Sequence, residues 1–344
     1  MSTWAAILAG GSGTRFWPLS TPERPKQLLP LAGDRPLLVQ AVRRLEGLVA
    51  PERILILTGP FLVDQIATAV PHVPREQIFA EPRAASTAPA LVWAAHWIAG
   101  RDPDAQMLSL HADWAVGDDR AFRAAATHAL GVAREADVLV TVGVKPTRNE
   151  TGYGYIVPGK PLGSARAVKR FVEKPSAARA AVLRRRGALW NTGLFAWGVA
   201  RFRAECSACA RELRPGWPAL SAGDVAGFFA AVRPVPVDIA VLERTPRLAA
   251  VTGTFRWDDI GSWDALLRIR RTDARGNVVV GNVTLGDDVR RSVVWAESEH
   301  LAVIGLEDMI VVRANGHTLV MPTGRADRLK ALVARREWGG GRGP

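Results

Sequence analysis

Cysteine and tyrosine are scarce in this 344-residue chain, with two of each, and lysine is limited to Lys26, Lys145, Lys160, Lys169, Lys174 and Lys330. The cysteines, Cys206 and Cys209, form a C-x-x-C inside Phe202 to Leu213, a stretch that reads as helix. A zinc site needs further cysteine or histidine ligands nearby, and a thioredoxin-type pair sits just after a strand, so neither is expected. Two ordinary helical thiols or a local disulfide remain. No apolar run approaches the roughly eighteen residues of a membrane span, and no charged-then-apolar leader precedes Trp4. No membrane partner is therefore expected, and a cytoplasmic location is.

Arginine carries the excess behind the formal net charge of +12, and it is spread along the chain. No basic helix or aromatic stacking platform accompanies that charge, so nucleic acid is not expected as a partner. A lysine inside a motif is the more informative for being rare, and Lys26 and Lys174 both lie in motifs. A content of 48% hydrophobic and 23% charged residues suits one large core plus a smaller unit.

What the chain does have is a glycine-rich loop at its start. Trp4-Ala5-Ala6-Ile7-Leu8 reads as a buried parallel strand, and Gly10-Gly11-Ser12-Gly13-Thr14-Arg15 follows it. The glycines let backbone N–H groups turn toward an anion, and Arg15 adds a charged fork suited to phosphate oxygens. A Walker A loop is excluded because Thr14-Arg15 follows Gly13, with no Lys-Ser/Thr pair opening a helix. A dinucleotide fingerprint fails because Phe16 replaces the third glycine. A plain glycine turn would also fit this loop, and Arg15, Pro25 and Lys26 in one short span weigh against it.

Further on, Arg53 to Thr58, Gln77 to Ala80, Gln106 to Leu110 and Asp137 to Val144 read as strands. They alternate with helical stretches such as Pro36 to Leu48 and Phe61 to Val70, as in a doubly wound sheet. Asp113, just past a strand's carboxyl end, faces the ligand crevice of such a sheet and is a candidate for a hard cation. From Asn277 short Val/Ile runs broken by glycine suggest a small β unit, with Arg325 to Arg336 as a closing helix and 337–344 as a mobile tail.

Gly10 to Ser20, followed by Pro25-Lys26-Gln27, resembles the signature of the sugar-1-phosphate nucleotidyltransferases; Trp17-Pro18-Leu19-Ser20 and Gln27 point more narrowly to their mannose-1-phosphate guanylyltransferase branch. The likeness continues in order through Glu81-Pro82 to Thr87-Ala88-Pro89, Pro146 to Ile156, Phe171-Val172-Glu173-Lys174-Pro175, Trp190-Asn191-Thr192-Gly193, Asp238 to Arg244 and Trp257-Asp258-Asp259-Ile260-Gly261-Ser262-Trp263. It departs at Ala85-Ser86, where the family carries Arg-Asn, and at His111 and Trp114 around Asp113.

The resemblance implies an α/β fold with a Rossmann-like doubly wound, mixed but mainly parallel sheet. A nucleotidyltransferase domain would span residues 1–270 and a small β-helix-like domain residues 271–336, the latter a route to a homodimer. The implied reaction joins GTP and mannose 1-phosphate with Mg²⁺ as cofactor, and one activity is expected. Arg15, Lys26, Asp113 and Asp259 would be catalytic, with Asp113 and Asp259, rather than Asp258, holding the metal. Leu8, Gly10, Gly11, Gly13, Thr14, Glu81 and Thr87 would bind the nucleotide, and a carboxylate at Glu81 matches both guanine donors, though a cap or turn role also suits it. Gly154, Glu173, Lys174 and Asn191 would bind the sugar phosphate, Asn191 offering an amide donor and acceptor to hydroxyls. The rivals are the same fold with another sugar or base, and a non-catalytic sugar-nucleotide-binding subunit. Against the second, every one of these charged residues is present.

Overall fold

The computed structural model describes residues 2–11 and 13–334. Ser12 of the glycine loop, the end of the helix expected to reach Arg336, and the tail 337–344 lie outside the described residues. The chain divides into two compact units, the first comprising Met1–Gly10, Ala41–Ala112 and Val116–Trp257, the second Gly11–Gln40, Asp113–Ala115 and Asp258–Pro344. Two of the breaks fall just past strand ends, after Gly10 and after Ala112. The expected boundary at 270/271 falls inside the second unit.

The first unit is a nine-stranded sheet. Its strands are β1 (Thr3–Leu8), β2 (Ile54–Thr58), β3 (Ile78–Ala80), β4 (Gln106–His111), β5 (Leu139–Val144), β6 (Tyr155–Leu162), β7 (Ala165–Val172), β8 (Leu189–Gly198) and β9 (Leu248–Gly253), in the spatial order β3-β2-β1-β4-β8-β5-β9-β7-β6. β7 and β8 run against the other strands, which makes the sheet mixed but mainly parallel in direction. β2 and β5 are buried at every residue, as continuous apolar strands covered on both faces must be. β6 holds Pro158 and Pro161 because it lies at the sheet's edge, where lost N–H donors do least harm, and its register with β7 slips there.

The first unit's core joins the strands to the helix Thr87–Ala99 and to helices Val199–Cys209 and Val225–Ala231. Aromatic contacts dominate it: Phe79 packs on Trp93 with ring centroids 4.6 Å apart, and Trp197 stacks on Phe202 at 4.2 Å. Cys206 is buried and Cys209 part-exposed, both as free thiols on that helix. Among the described residues no helix is long and apolar enough to cross a membrane.

The second unit carries β10 (Val278–Val280), β11 (Val283–Leu285), β12 (Val293–Ala296), β13 (Leu301–Val303), β14 (Met309–Ala314) and β15 (His317–Pro322). β10, β12 and β14 pair in parallel, with β15 antiparallel at the edge, and β11 pairs in parallel with β13. Such parallel pairing of short successive strands is the coil of a β-helix. Its core also takes in Phe16, Leu19, Leu29, Leu31, Trp263 and Leu266. Trp263 lies 5.3 Å from Phe16 and 5.7 Å from Trp295, centroid to centroid, and donates from Nε1 to the Trp17 carbonyl at 3.1 Å. The apolar letters of Phe16-Trp17-Pro18-Leu19 and of Gly261-Ser262-Trp263 are therefore packing residues that carry the charged letters beside them. A turn at Thr323–Arg328 and a helix Leu329–Ala334 stand where the closing helix was expected.

Candidate active site

In the second unit the rare lysine becomes a bridge. Pro25 opens a turn of 3₁₀ helix over Lys26–Leu28, and the Lys26 side chain is 11% exposed. Its Nζ lies 2.8 Å from Asp113 Oδ2 and donates to the Asp259 carbonyl at 2.5 Å. Arg15 Nη1 donates to the Gly261 carbonyl at 3.0 Å. A Cβ on Gly261 would stand 3.4 Å from Arg15 Nη1 and from both Asp259 carboxylate oxygens, so the guanidinium and that carboxylate flank one bare glycine. The structure thus brings together all four residues expected to be catalytic.

The glycine loop is fitted to the same lysine. Gly13 has φ +58°, and a Cβ there would lie 2.6 Å from the Lys26 backbone nitrogen, so a side chain would push Lys26 away. Ser20 Oγ donates to the Gly13 carbonyl at 2.7 Å and fixes the loop from below. A Cβ added at Gly10 or Gly11 would meet nothing within 4 Å, which leaves open space over the peptide groups expected to meet phosphate. Thr14 begins the next short turn, and Leu8 closes β1 as a buried residue.

Asp258 and Asp259 are adjacent but differently employed. Asp258 is buried; its Oδ1 accepts from the Ile260 N–H at 2.9 Å and its Oδ2 from Arg268 Nε at 2.8 Å. It holds the turn, which leaves Asp259 as the acid beside Arg15. Among the described residues no three acidic, histidine or cysteine side chains gather as a metal cage. Asp113, paired with Lys26, and Asp259, whose carboxylate lies beside Gly261, are the two acids that a hard cation would use while taking its remaining ligands from phosphate and water.

The first unit presents two further groups. Glu81 follows β3, its N–H donating to the Thr58 carbonyl at 2.8 Å, and burial pushes its carboxyl up to about 7. Thr87 opens the helix Thr87–Ala99, and its Oγ1 accepts from the Val237 N–H at 2.9 Å, so the hydroxyl serves the scaffold. Of the two departures in this loop, Ala85 is fully buried and Ser86 is exposed with φ +68°.

The second group surrounds Glu173. Lys174 Nζ lies 2.9 Å from Glu173 Oε1 on a side chain 63% exposed. A Cβ on Gly154 would sit 2.7 Å from Glu173 Oε2, so the bare glycine is what lets that carboxylate approach the backbone. The Asn191 N–H donates to the Gly154 carbonyl at 2.8 Å. The Asn191 side chain is already engaged within the protein: Oδ1 accepts from Thr141 Oγ1 at 2.9 Å and from the Gly193 N–H at 3.2 Å, while Nδ2 donates to Asp238 Oδ1 at 2.9 Å. Its acceptor capacity is spent within the protein, leaving at most an N–H for a hydroxyl. Thr141, Asp238 and Glu243 belong to this network and had no role in the sequence reading; the Asp238-to-Glu243 pattern was visible there without chemistry to attach to it. Burial and the neighbouring Glu173 carboxylate push Asp238 up to about 7.

A family profile described as nucleotidyl transferase matches residues 4–276. The chain belongs to the nucleotidyl transferase family. A second profile, the MannoseP isomerase/GMP-like beta-helix domain, matches residues 277–335 of this nucleotidyl transferase, in keeping with the parallel coil of β10 to β14. It is 35% identical to a mannose-1-phosphate guanylyltransferase of Sinorhizobium fredii over 96% of its length and 67% of the relative's. It is 34% identical to the Escherichia coli K12 protein of the same name, over 96% and 72%. A Thermus thermophilus crystal structure, described as a mannose-1-phosphate geranyltransferase, superimposes with TM-score 0.89 at 34% identity, covering 97% of this chain and 99% of that one. The likeness to a UDP-glucose pyrophosphorylase from Acinetobacter baumannii, TM-score 0.52 at 19% identity, concerns the fold alone.

Proposed function

We propose that this nucleotidyl transferase transfers GMP from GTP to mannose 1-phosphate, giving GDP-mannose and pyrophosphate. The observation that carries the chemistry is Lys26, held between Asp113 and the Asp259 backbone with Arg15 alongside. The sugar assignment rests on the guanylyltransferase relatives that match across nearly the whole chain.

A phosphate oxygen of the sugar phosphate attacks the α-phosphorus of GTP, a P–O bond forms, and the bond to the β-phosphate oxygen breaks in line with it. Pyrophosphate leaves with the electron pair. Two anions must meet for this to happen, so the protein's task is to orient them and to offset their repulsion. The glycine loop and Arg15 hold the triphosphate, and Lys26 sets a fixed positive charge where charge accumulates on the leaving group. Asp113 and Asp259 would hold Mg²⁺, which when bound polarises the α-phosphate. Glu81 accepts the N1–H and 2-amino donors of guanine, an interaction that favours its ionised form and opposes the effect of burial. Lys174 pairs with the phosphate on C1, and Glu173 takes vicinal hydroxyls of the ring.

The reaction exchanges one phosphoanhydride for another, so it also runs backward. Incubating the protein with GDP-mannose, pyrophosphate and Mg²⁺ is expected to yield GTP and mannose 1-phosphate. Turnover of UDP-glucose or ADP-glucose instead, with GDP-mannose left intact, would overturn the substrate assignment.

A further inference from the structure

Val237 and Asp238, adjacent in sequence, each hold one residue of a different substrate group. The Val237 N–H donates to Thr87 Oγ1 on the base side, and Asp238 Oδ1 accepts from Asn191 on the sugar side, each at 2.9 Å. Upstream, the Val235 N–H donates to the Ala85 carbonyl at 3.3 Å, its own carbonyl accepts from the Ala88 N–H at 3.1 Å, and Val232 O accepts from Arg83 Nη2 at 2.5 Å. Downstream, Glu243 Oε1 accepts from the Glu173 N–H at 3.2 Å. Residues 232–243 are thus a strap tied to the Glu81-to-Thr87 loop by backbone groups and to the Glu173 cluster by two carboxylates.

We propose that Asp238 is a positioning residue for the sugar-phosphate subsite, acting through Asn191 on Gly154 and the Glu173–Lys174 pair. The proposal rests on the assignment of that cluster to the sugar phosphate. Asp238 and Thr141 grip the two ends of one carboxamide, which locks the Asn191 side chain against rotation. Asn191 is the residue whose backbone N–H carries Gly154, and Gly154 is the surface against which Glu173 rests. Removing the Asp238 carboxyl group frees one end of the amide. The backbone ties to Ala85, Thr87 and Ala88 stay, because none of them uses the Asp238 side chain. A loss confined to the sugar side is therefore the signature of positioning, whereas general loosening would weaken both substrates.

The test compares Asp238→Ala and Asp238→Asn, reading KM for each substrate and the Kd for mannose 1-phosphate by calorimetry. Asp238→Ala is expected to raise KM and Kd for the sugar phosphate about tenfold with KM for GTP within twofold, the effect of leaving one buried amide N–H without its acceptor. Asp238→Asn, which keeps an acceptor for Asn191, is expected to stay within threefold. Equal rises for both substrates, or no rise in the sugar-phosphate Kd, would overturn the proposal. Thr141→Val removes one of the two donors to the other end of the same amide without changing shape, leaving only the Gly193 N–H there, and a smaller rise on the same side is expected from it even where Asp238→Ala fails to fold. Should the wild-type protein turn over another sugar phosphate, the reading of the substrate falls, and the same comparison with that sugar phosphate still decides the role of Asp238.

Discussion

Replacing Lys26 by alanine removes the contact on which the proposed catalytic cluster depends. Its side chain is 11% exposed, and its ammonium lies 2.8 Å from Asp113 Oδ2 and 2.5 Å from the Asp259 carbonyl, so it is a preorganised charge rather than a mobile surface cation. One such electrostatic contact to a developing charge is worth on the order of 10²–10³ in kcat, or about 3–4 kcal/mol of transition-state stabilisation. The effect on folding is far smaller. Asp113 is 32% exposed, and water replaces much of what the lysine supplied, so about 1 kcal/mol of stability is at stake. The expected outcome is a loss of a hundredfold or more in kcat, read by pyrophosphate release, with Tm lowered by only a few degrees. Lys26→Arg keeps the charge but not the compact point donor that fits between Asp113 and the Asp259 backbone, and is expected to recover only part of the activity. A loss below fivefold in the folded Lys26→Ala protein would refute the reasoning.

Other substitutions test the neighbouring assignments. Glu81 keeps its proton to about 7 in the folded chain and to about 4.5 when unfolded, so the native state binds more protons between those values and stability falls as pH rises through that window. Glu81→Gln abolishes this cost, which is at most about 3 kcal/mol and less for a part-exposed group; it is expected to melt higher than wild type at pH 8, to match it at pH 4, and to lose the preference for GTP. A wild-type advantage at pH 8, or an unchanged nucleotide preference, would count against Glu81 as the guanine acceptor. Asp259→Asn is expected to raise the Mg²⁺ concentration for half-maximal activity at least tenfold. Asp258→Asn should instead lower stability by about 1–3 kcal/mol through its bonds to Arg268 and Ile260 while leaving the Mg²⁺ midpoint within threefold; reversed metal titrations would exchange the two roles. Gly13→Val places a branched Cβ at φ +58° and 2.6 Å from the Lys26 nitrogen, and is expected to abolish activity and to cost about 2 kcal/mol or more. A folded variant retaining a tenth of wild-type kcat would argue that the loop need not touch Lys26.

The charged letters of the candidate site stood out in the sequence because of their scarcity and position. Lys26 is one of few lysines, Asp113 stands just past a strand of the predicted sheet, and Arg15 follows a glycine loop. The short strands of the C-terminal unit were legible from their glycine spacing. The grouping of Gly11–Gln40 with the chain from Asp258 onward was not, because Phe16 and Leu19 bury themselves in one core with Trp263, Trp295 and Ile310, across more than two hundred residues that no local pattern spans. The surroundings of Asn191 were hidden for the same reason. Its short motif suggests an amide facing a ligand, and only the fold shows Thr141 and Asp238 already bonded to both ends. Asp238 had no legible role, since a positioning residue is defined by its partners and these lie on distant strands.

The most direct measurement is pyrophosphate release by the wild-type protein with Mg²⁺, scanning GTP, ATP, UTP and dTTP against mannose 1-phosphate and glucose 1-phosphate. The account predicts rapid release with GTP and mannose 1-phosphate and little with any other pair. Release with none of the pairs, from protein that still binds GDP-mannose, would contradict it and make the chain a sugar-nucleotide-binding subunit rather than a catalyst.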